Sequence, residues 1–345
     1  MRICIVPALA GKAWNGATIY NDALGGSEAA VVYIARGLAR AGADVHVLCS
    51  GEPGKFDGVQ YYHASQFADL LRQAWDVLIV SRWSEVLQHP WQAEYRVFWV
   101  HDLPQQMGLQ LACNKVFCIS QFQAKMWGFG AEWIYPTSDG VDTTVFTPNN
   151  GPRDTNKLVW ISNPDRGLSG AARIFQEIRK RWPDLELHVY GRAAVYGWAG
   201  EAERYYLPLP EHSEHVFLHE PLNKIQLANV LKDAWAMFYP SFWPETCCMA
   251  ALEAQACGTP VIACPIGALP ETVQGGILTY DFLNAVSQLR NAGRWAKLSA
   301  AGIQFTSDFS WDTIARRWLD FFTTATRRDV SERAGAENQL SAVVG

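Results

Sequence analysis

The feature that most constrains this chain is an alternation, met twice, between short runs rich in Val, Ile and Phe and segments with helical spacing. In the first half RICIVPAL, DVHVLCS, WDVLIVS, RVFWVH and KVFCIS are short, apolar and bounded by turn residues, the pattern of strands buried on both faces. Helical segments fall between them. In the clearest, Ser27 is placed to cap a helix whose stripe Val31, Ile34, Leu38 has helical spacing, and Gly42 ends it before the next strand. From Pro136 to Pro152 the pattern stops in PTSDGVDTTVFTPNNGP, rich in Pro, Gly, Asn and Asp, which reads as an interdomain linker. The alternation then restarts with strands KLVWIS, LELHVY, WAMFYP and PVIAC, and with helices over Leu168 to Arg181 and Asn223 to Asp233. Parallel strands need crossover connections, and helices covering both faces of the sheet supply them. The expected fold class is therefore α/β, with two doubly wound domains.

Composition supports two domains and removes several functions. The chain has 345 residues, of which 49% are hydrophobic and 18% charged, enough for two ordinary cores and too apolar for disorder. A net charge of -5 with no basic block argues against a nucleic-acid partner. The eight cysteines lie in apolar runs and form no Cys-x-x-Cys pair, so they read as buried free thiols of a reducing cytosol and not as a zinc or redox site. The start, MRICIVPALAGKAW, lacks the pattern of a secretory signal, and no apolar run approaches the roughly 18 to 20 residues of a membrane span. A cytoplasmic place is expected, with peripheral attachment to a membrane left open. There is no G-x-G-x-x-G and no G-x-x-x-x-G-K-[ST], so the chain carries neither common nucleotide fingerprint.

Two stretches carry chemistry. In PETCCMAALEAQACGTP two carboxylates, Glu245 and Glu253, stand among Ala, Cys, Met and Leu, where an ionised group is costly unless something pairs with it. The strand WAMFYP and the turn Ser241 to Pro244 place Glu245 at or just before a helix N-terminus, with Glu253 two turns in. Eight residues at about 100° each set the side chains about 80° apart and roughly 12 Å along the axis, too far to share one metal ion. They suit two parts of one elongated ligand, such as a nucleotide sugar. The other stretch, ALGGSEAA, brings Gly25 and Gly26 to a helix start, where bare amides and the positive dipole end favour phosphate, although a lone Gly-Gly before a helix more often marks a turn. Each acid taken alone reads better as an ordinary structural residue, Glu245 as a first-turn acid and Glu253 as the partner of a basic residue in the core.

With its surroundings, YPSFWPETCCMAALEAQACGTPVIACPIGALPETV resembles the signature region of retaining glycosyltransferases of family four, which have the two-Rossmann-domain GT-B fold. GGSEAAVVYIARGLARAGADVHVLC is similar to that family's first βαβ unit, WVHD to its sugar-site loop, YPTSDGVDTTVF to its interdomain crossing and SNPDRGL to its phosphate loop. HVFLHEPLNKIQLANVLKDAWAMFYPS matches the lead into the signature, and FSWDTIARRWLDFF the C-terminal helix. The resemblance implies a first domain over 1–148, a nucleotide-sugar domain over 152–309, a helix over 310–328 packing back on the first domain, and a disordered tail over 329–345. It implies that Glu245 binds donor-sugar hydroxyls, that Glu253 binds the ribose diol, that Gly25 and Gly26 approach the diphosphate, and that His101 lies beside the donor sugar.

The departures are as informative. Where the family opens its second domain with Gly-Arg, four residues, then Lys-Gly, this chain has WISNPDRG, so Arg166 stands for the lysine and Ile161 for the arginine. One cation is missing, and Arg192 is the candidate substitute. Gly-Phe-Gly after the first glutamate becomes Thr246, Cys247 and Cys248, with the Thr246 hydroxyl offered in exchange for close backbone approach. No Asp-x-Asp occurs, and like the family the chain is expected to need no metal and no cofactor beyond its UDP- or GDP-linked sugar substrate. The expected activity is retaining transfer from a nucleotide-diphosphate sugar to a hydroxyl of a glycan or lipid-linked saccharide. A GT-B epimerase or phosphorylase, or a non-catalytic nucleotide-sugar binder, are the alternatives. Trp127, Phe129 and Trp133 near Lys125 are placed to meet a sugar ring or a membrane interface, though core packing accounts for most of the fifteen tryptophans.

Overall fold

In the computed structural model, residues 1–9, 11–104, 111–149, 151–191, 209 and 213–326 are described. The first sheet is built from β1 (Arg2–Pro7), β2 (Asp44–Cys49), β3 (Gly54–Phe56), β4 (Val59–His63), β5 (Ala74–Ser81), β6 (Gln92–Val100), β7 (Lys115–Cys118) and β8 (Ile134–Pro136). Their order is β3-β4-β2-β1-β5-β6-β7-β8, parallel except for the β3–β4 hairpin. The second contains β9 (Asp154–Trp160), β10 (Glu186–Tyr190), β11 (Val216–His219), β12 (Ala234–Tyr239), β13 (Val261–Ala263) and β14 (Gly276–Leu278). Its order, β11-β10-β9-β12-β13-β14, is parallel throughout. In each sheet the strand order reverses beside the first strand, between β1 and β5 and between β9 and β12. Such a switch point opens a crevice at the carboxyl ends of the strands.

The strands expected from apolar runs are present, and the central ones are buried from end to end, as Ile3 to Val6 and Ala234 to Tyr239 show. Those not anticipated, β3, β4, β8, β11 and β14, are edge or near-edge strands of three to five residues. Too short or too exposed to carry an apolar run, they owe their conformation to the neighbouring strand.

The Gly26–Arg40 helix is capped by Gly25 and not by Ser27, which lies inside the first turn with its hydroxyl donating to Glu28 at 3.1 Å. Eleven consecutive residues, Glu28 to Leu38, are buried, because a second helix, over residues 311–326, covers the face that a single sheet would leave open. Gly37 makes that contact possible, since a Cβ there would lie 2.7 Å from the Ala315 Cβ and 3.0 Å from the Trp311 carbonyl. Tyr33 stacks on Trp311 at 5.8 Å, and Trp318 packs edge-on against Trp99 and Phe117 at 4.9 and 4.8 Å. The chain enters this helix beside the first crossing: Val141 donates to the Phe309 carbonyl at 2.8 Å and pairs with Ser310. The two crossings thus lie side by side and form the hinge edge of the cleft. The domains touch again at Glu271, whose two carboxylate oxygens accept from the amides of Gln121 and Phe122 at 2.8 and 2.7 Å.

Candidate active site in the interdomain cleft

Glu245 is not on a helix. The helix after β12 runs Met249–Ala256, capped by Cys248 in the left-handed region at φ 71°, so Glu245 lies in the loop before it, and the helical separation expected between the two glutamates does not apply. The reason is tertiary. Glu245 donates its amide to Trp243 and accepts from the Ala268 amide at 2.8 Å, against Gly267, where a Cβ would come within 2.6 Å of the Glu245 backbone. That close packing holds the loop out of helical geometry.

The loop aims Glu245 at Arg166. One guanidinium nitrogen, Nη1, donates to both carboxylate oxygens at 2.7 and 2.8 Å, and the Tyr239 hydroxyl donates to Oε1. Tyr239 also meets the Ser162 hydroxyl at 3.2 Å, while Ser241 donates to the Arg166 carbonyl at 2.6 Å and accepts from the Trp243 amide at 3.0 Å. Arg166 lies 5.6 Å from the Trp243 ring centre, over its face. The Glu245 side chain is 5% exposed and that of Arg166 31%, so the carboxylate is inside and the cation at the mouth.

Glu253 is drier still, its side chain 2% exposed, and it accepts from the Lys224 ammonium at 2.5 Å. Burial pushes the Glu253 carboxyl up, and Lys224 opposes that shift. Asp139, on the interdomain crossing, shares this interior. Burial lifts its carboxyl to about 7 against the pull of Lys224, helped by the charge of Glu253, and its Oδ1 has no hydrogen-bond partner among the described residues.

Across the cleft, His101 follows β6 and is 9% exposed. Burial first, and the Arg82 charge second, hold its imidazole down to about 3, so it is neutral at any ordinary pH. Nε2 is buried without a partner among the described residues, and the ring tilts against Trp99 at 4.3 Å. Thr246 donates its hydroxyl to the His101 carbonyl at 2.8 Å, bridging the domains. That hydroxyl, expected to meet the donor, is engaged here with backbone. Gly25 and Gly26 sit at the start of the 15-residue helix on the same cleft edge, and a Cβ at Gly26 would meet nothing within 4 Å.

Arg82 and Lys224 were not anticipated. Arg82, in the left-handed region at φ 68°, donates to Ser27 at 3.0 Å and Asp102 at 2.7 Å and lies 3.7 Å from Glu28. It ties the helix start to the His101 loop. Its backbone is set by the turn after β5, which no periodicity reports. Lys224 does leave a trace, a cation in the first turn of a helix, where the dipole disfavours it. Arg192 lies outside the described residues. Ile161, in place of the arginine, packs against the core. Burial raises the thiols of Cys247 and Cys248, which suits packing and not nucleophilic attack.

Residues 156–300 match the family model described as glycosyl transferases group 1. The match falls within the second domain, and the chain is similar to D-inositol 3-phosphate glycosyltransferases. The Thermobifida fusca protein is 28% identical over 204 residues, 50% of this chain and 46% of that one, and the Xylanimonas cellulosilytica protein is 25% identical over 292 residues, 73% and 69%. The Mycobacterium leprae protein is 37% identical over 224 residues, 55% of this chain. The chain thus spans about half the length of the Thermobifida relative. Anabaena Alr3699/HepE, solved with UDP and glucose, superposes with a TM-score of 0.72 at 16% identity, over 94% of this chain and all of that one. Sucrose-phosphate synthase from Thermosynechococcus elongatus does so at 0.71 and 16%, over 95% and 100%. The fold is GT-B. Among the described residues no helix is long and apolar enough to cross a membrane.

Proposed function

We propose that the chain is a retaining glycosyltransferase that moves a sugar from a nucleoside-diphosphate sugar to an acceptor hydroxyl, with no metal in the reaction. The observation that carries this reading is the pairing of Arg166 with Glu245, opposite a neutral His101 whose Nε2 has no partner among the described residues. Glu245 and His101 are the pair to accept from and donate to hydroxyls of the donor sugar. Arg166 and the amides at Gly25 and Gly26 carry the leaving diphosphate, and Glu253 takes the ribose diol.

Transfer requires an oxocarbenium-like sugar and a departing dianion, so fixed positive charge near the phosphates and a carboxylate near the ring are the useful groups. Because Arg166 and Glu245 neutralise each other, each is kept charged at low cost in the free enzyme and is already oriented before the donor arrives. On retention, a leaving phosphate oxygen takes the acceptor proton on the same face, so this reading needs no side chain as a base for the acceptor. The UDP and UDP-glucose complexes of the Anabaena neighbour make UDP-linked sugars the first donors to try, with GDP-linked ones next. We take the acceptor to be a glycan or a lipid-linked saccharide; the relatives named for D-inositol 3-phosphate make that compound the comparison to assay beside it.

The test is a screen of nucleotide sugars by thermal shift, since a true ligand raises the melting temperature by mass action. The best donor is then incubated with acceptor pools and the product's anomeric configuration is read by NMR. Retained configuration is expected. Inverted product removes the retaining mechanism, and a donor that binds but is never consumed leaves a non-catalytic binder.

A further inference from the structure

The first turn of the Lys224–Asp233 helix already has a complete cap, with Asn223 accepting from the Gln226 amide at 3.0 Å and Gln226 reaching back to the Asn223 amide at 3.2 Å. A lysine at the first position adds nothing to that cap and opposes the helix dipole. Its ammonium is nonetheless drawn inward. The Lys224 side chain is 12% exposed, crosses the Phe146 ring at 5.9 Å, lies 4.0 Å from the Met249 sulfur and ends on Glu253 Oε1. Local helix energetics do not explain this placement; the carboxylate at its end does.

Resting on the reading of Glu253 as the ribose-binding residue, we propose that Lys224 is a positioning residue for the nucleotide: it holds the Glu253 carboxylate anionic and fixed, ready to accept the two ribose hydroxyls. A carboxylate can accept from several donors at once. Among the described residues Lys224 meets only Oε1 of Glu253, which leaves Oε2 for a hydroxyl. Among the described residues Lys224 is the one cation that bears on Glu253. Asp142 of the crossing bears on Glu253 in the opposite sense, and Glu253 in turn raises the buried carboxyl of Asp139 beside it. Without Lys224, a dry carboxyl among acids takes a proton, and a protonated acid offers one donor and a poorer acceptor to a diol.

The experiment compares binding of UDP and of 2′,3′-dideoxy-UDP, which lacks the diol, by calorimetry across neutral to alkaline pH. Lys224→Met is expected to weaken UDP about tenfold near neutral pH, a loss of about one unit in log Kd. The loss should shrink toward pH 9 or so as Glu253 ionises again, dideoxy-UDP should be unaffected, and Lys224→Arg should behave as wild type. Should Lys224→Met not fold, Lys224→Gln, which keeps a donor without the charge, gives the same readings. Equal weakening of both nucleotides at every pH, or no weakening of UDP, overturns the proposal. A ligand-free reading separates it from the functional one: a carboxylic-acid infrared band present in Lys224→Met and absent from Lys224→Met/Glu253→Gln. If that band is missing, Lys224 does not hold Glu253 ionised; if it is present but wild type binds none of UDP, GDP and ADP, it is the nucleotide reading of the cleft that falls.

Discussion

The two glutamates of the second domain, eight residues apart, solve the same problem in opposite ways. Glu245 sits on a loop with its carboxylate turned inside, paired through both oxygens with a partly exposed arginine at the mouth of the cleft and bonded by Tyr239. Glu253 sits on a helix in a dry interior with one ammonium against it and a second buried carboxyl, Asp139, nearby. On the proposed function, the first arrangement keeps a charge ready where charge develops in the reaction. The second keeps a charge where water is absent, useful for holding a neutral diol that water would otherwise solvate. Differences in hydration and in partner number, more than in residue type, separate a group suited to a transition state from one suited to ground-state binding.

The comparison breaks most readily at the mouth. Arg166→Ala is expected to raise the barrier by about 2–4 kcal/mol, as the loss of a preorganised electrostatic donor does. Because Arg166 and Glu245 act as a unit, Arg166→Ala/Glu245→Gln should be little worse than either change alone. Steady-state rates decide it: additive losses would show that the two residues serve the reaction separately. Glu253→Gln belongs to the other class and should raise the donor KM while kcat survives.

A smaller effect sharpens the dry side. The Asp139 carboxyl is lifted from 3.8 to about 7 in the folded chain. Its folded value lies above its unfolded one, so its ionisation weakens the fold progressively as pH rises through that interval and by a constant amount above it. Asp139→Asn, which cannot ionise, should therefore stabilise the protein by about 1–3 kcal/mol above neutrality and by little near pH 4 or so. Denaturant midpoints measured at alkaline and acid pH test it; an equal gain at both would mean that the carboxyl is not titrating where burial puts it.

The smallest effect concerns the bridge between the domains. Thr246→Val removes the bond to the His101 carbonyl, about 0.5–1.5 kcal/mol, without touching either glutamate. The Glu271 contacts and the paired crossings remain, so the fold should keep its melting temperature within a few degrees while small-angle scattering shows a more open chain in the absence of nucleotide. An unchanged radius of gyration would mean that the bridge does not restrain the cleft.

How much of this could be read without coordinates differs from element to element. The long central strands and the Gly26–Arg40 helix were legible because their burial imposes a periodicity on neighbouring residues. The edge strands were not, since a strand of three residues such as Gly276–Leu278 takes its shape from β13 and leaves no pattern of its own. At the site, Glu245 and Glu253 stood out as carboxylates in an apolar run and the family resemblance pointed to His101 and Arg166, whereas the loop that holds Glu245 off the helix depends on Gly267, twenty-two residues later. Arg82 was invisible, because its value lies in a turn geometry and in reaching Ser27 fifty-five positions away.

Sequence alone determined the alternation of strands and helices, the doubling of the domain and the residue types available to a sugar nucleotide, since periodicity and turn chemistry are properties of neighbours along the chain. Which charges meet was decided only by the tertiary structure. Arg166 reaches Glu245 across 79 positions, Lys224 reaches Glu253 across 29, and Thr246 reaches the His101 carbonyl across 145. Coulomb energy and desolvation depend on distance through space and on the removal of water, and neither is set until two sheets and a returning helix have packed together.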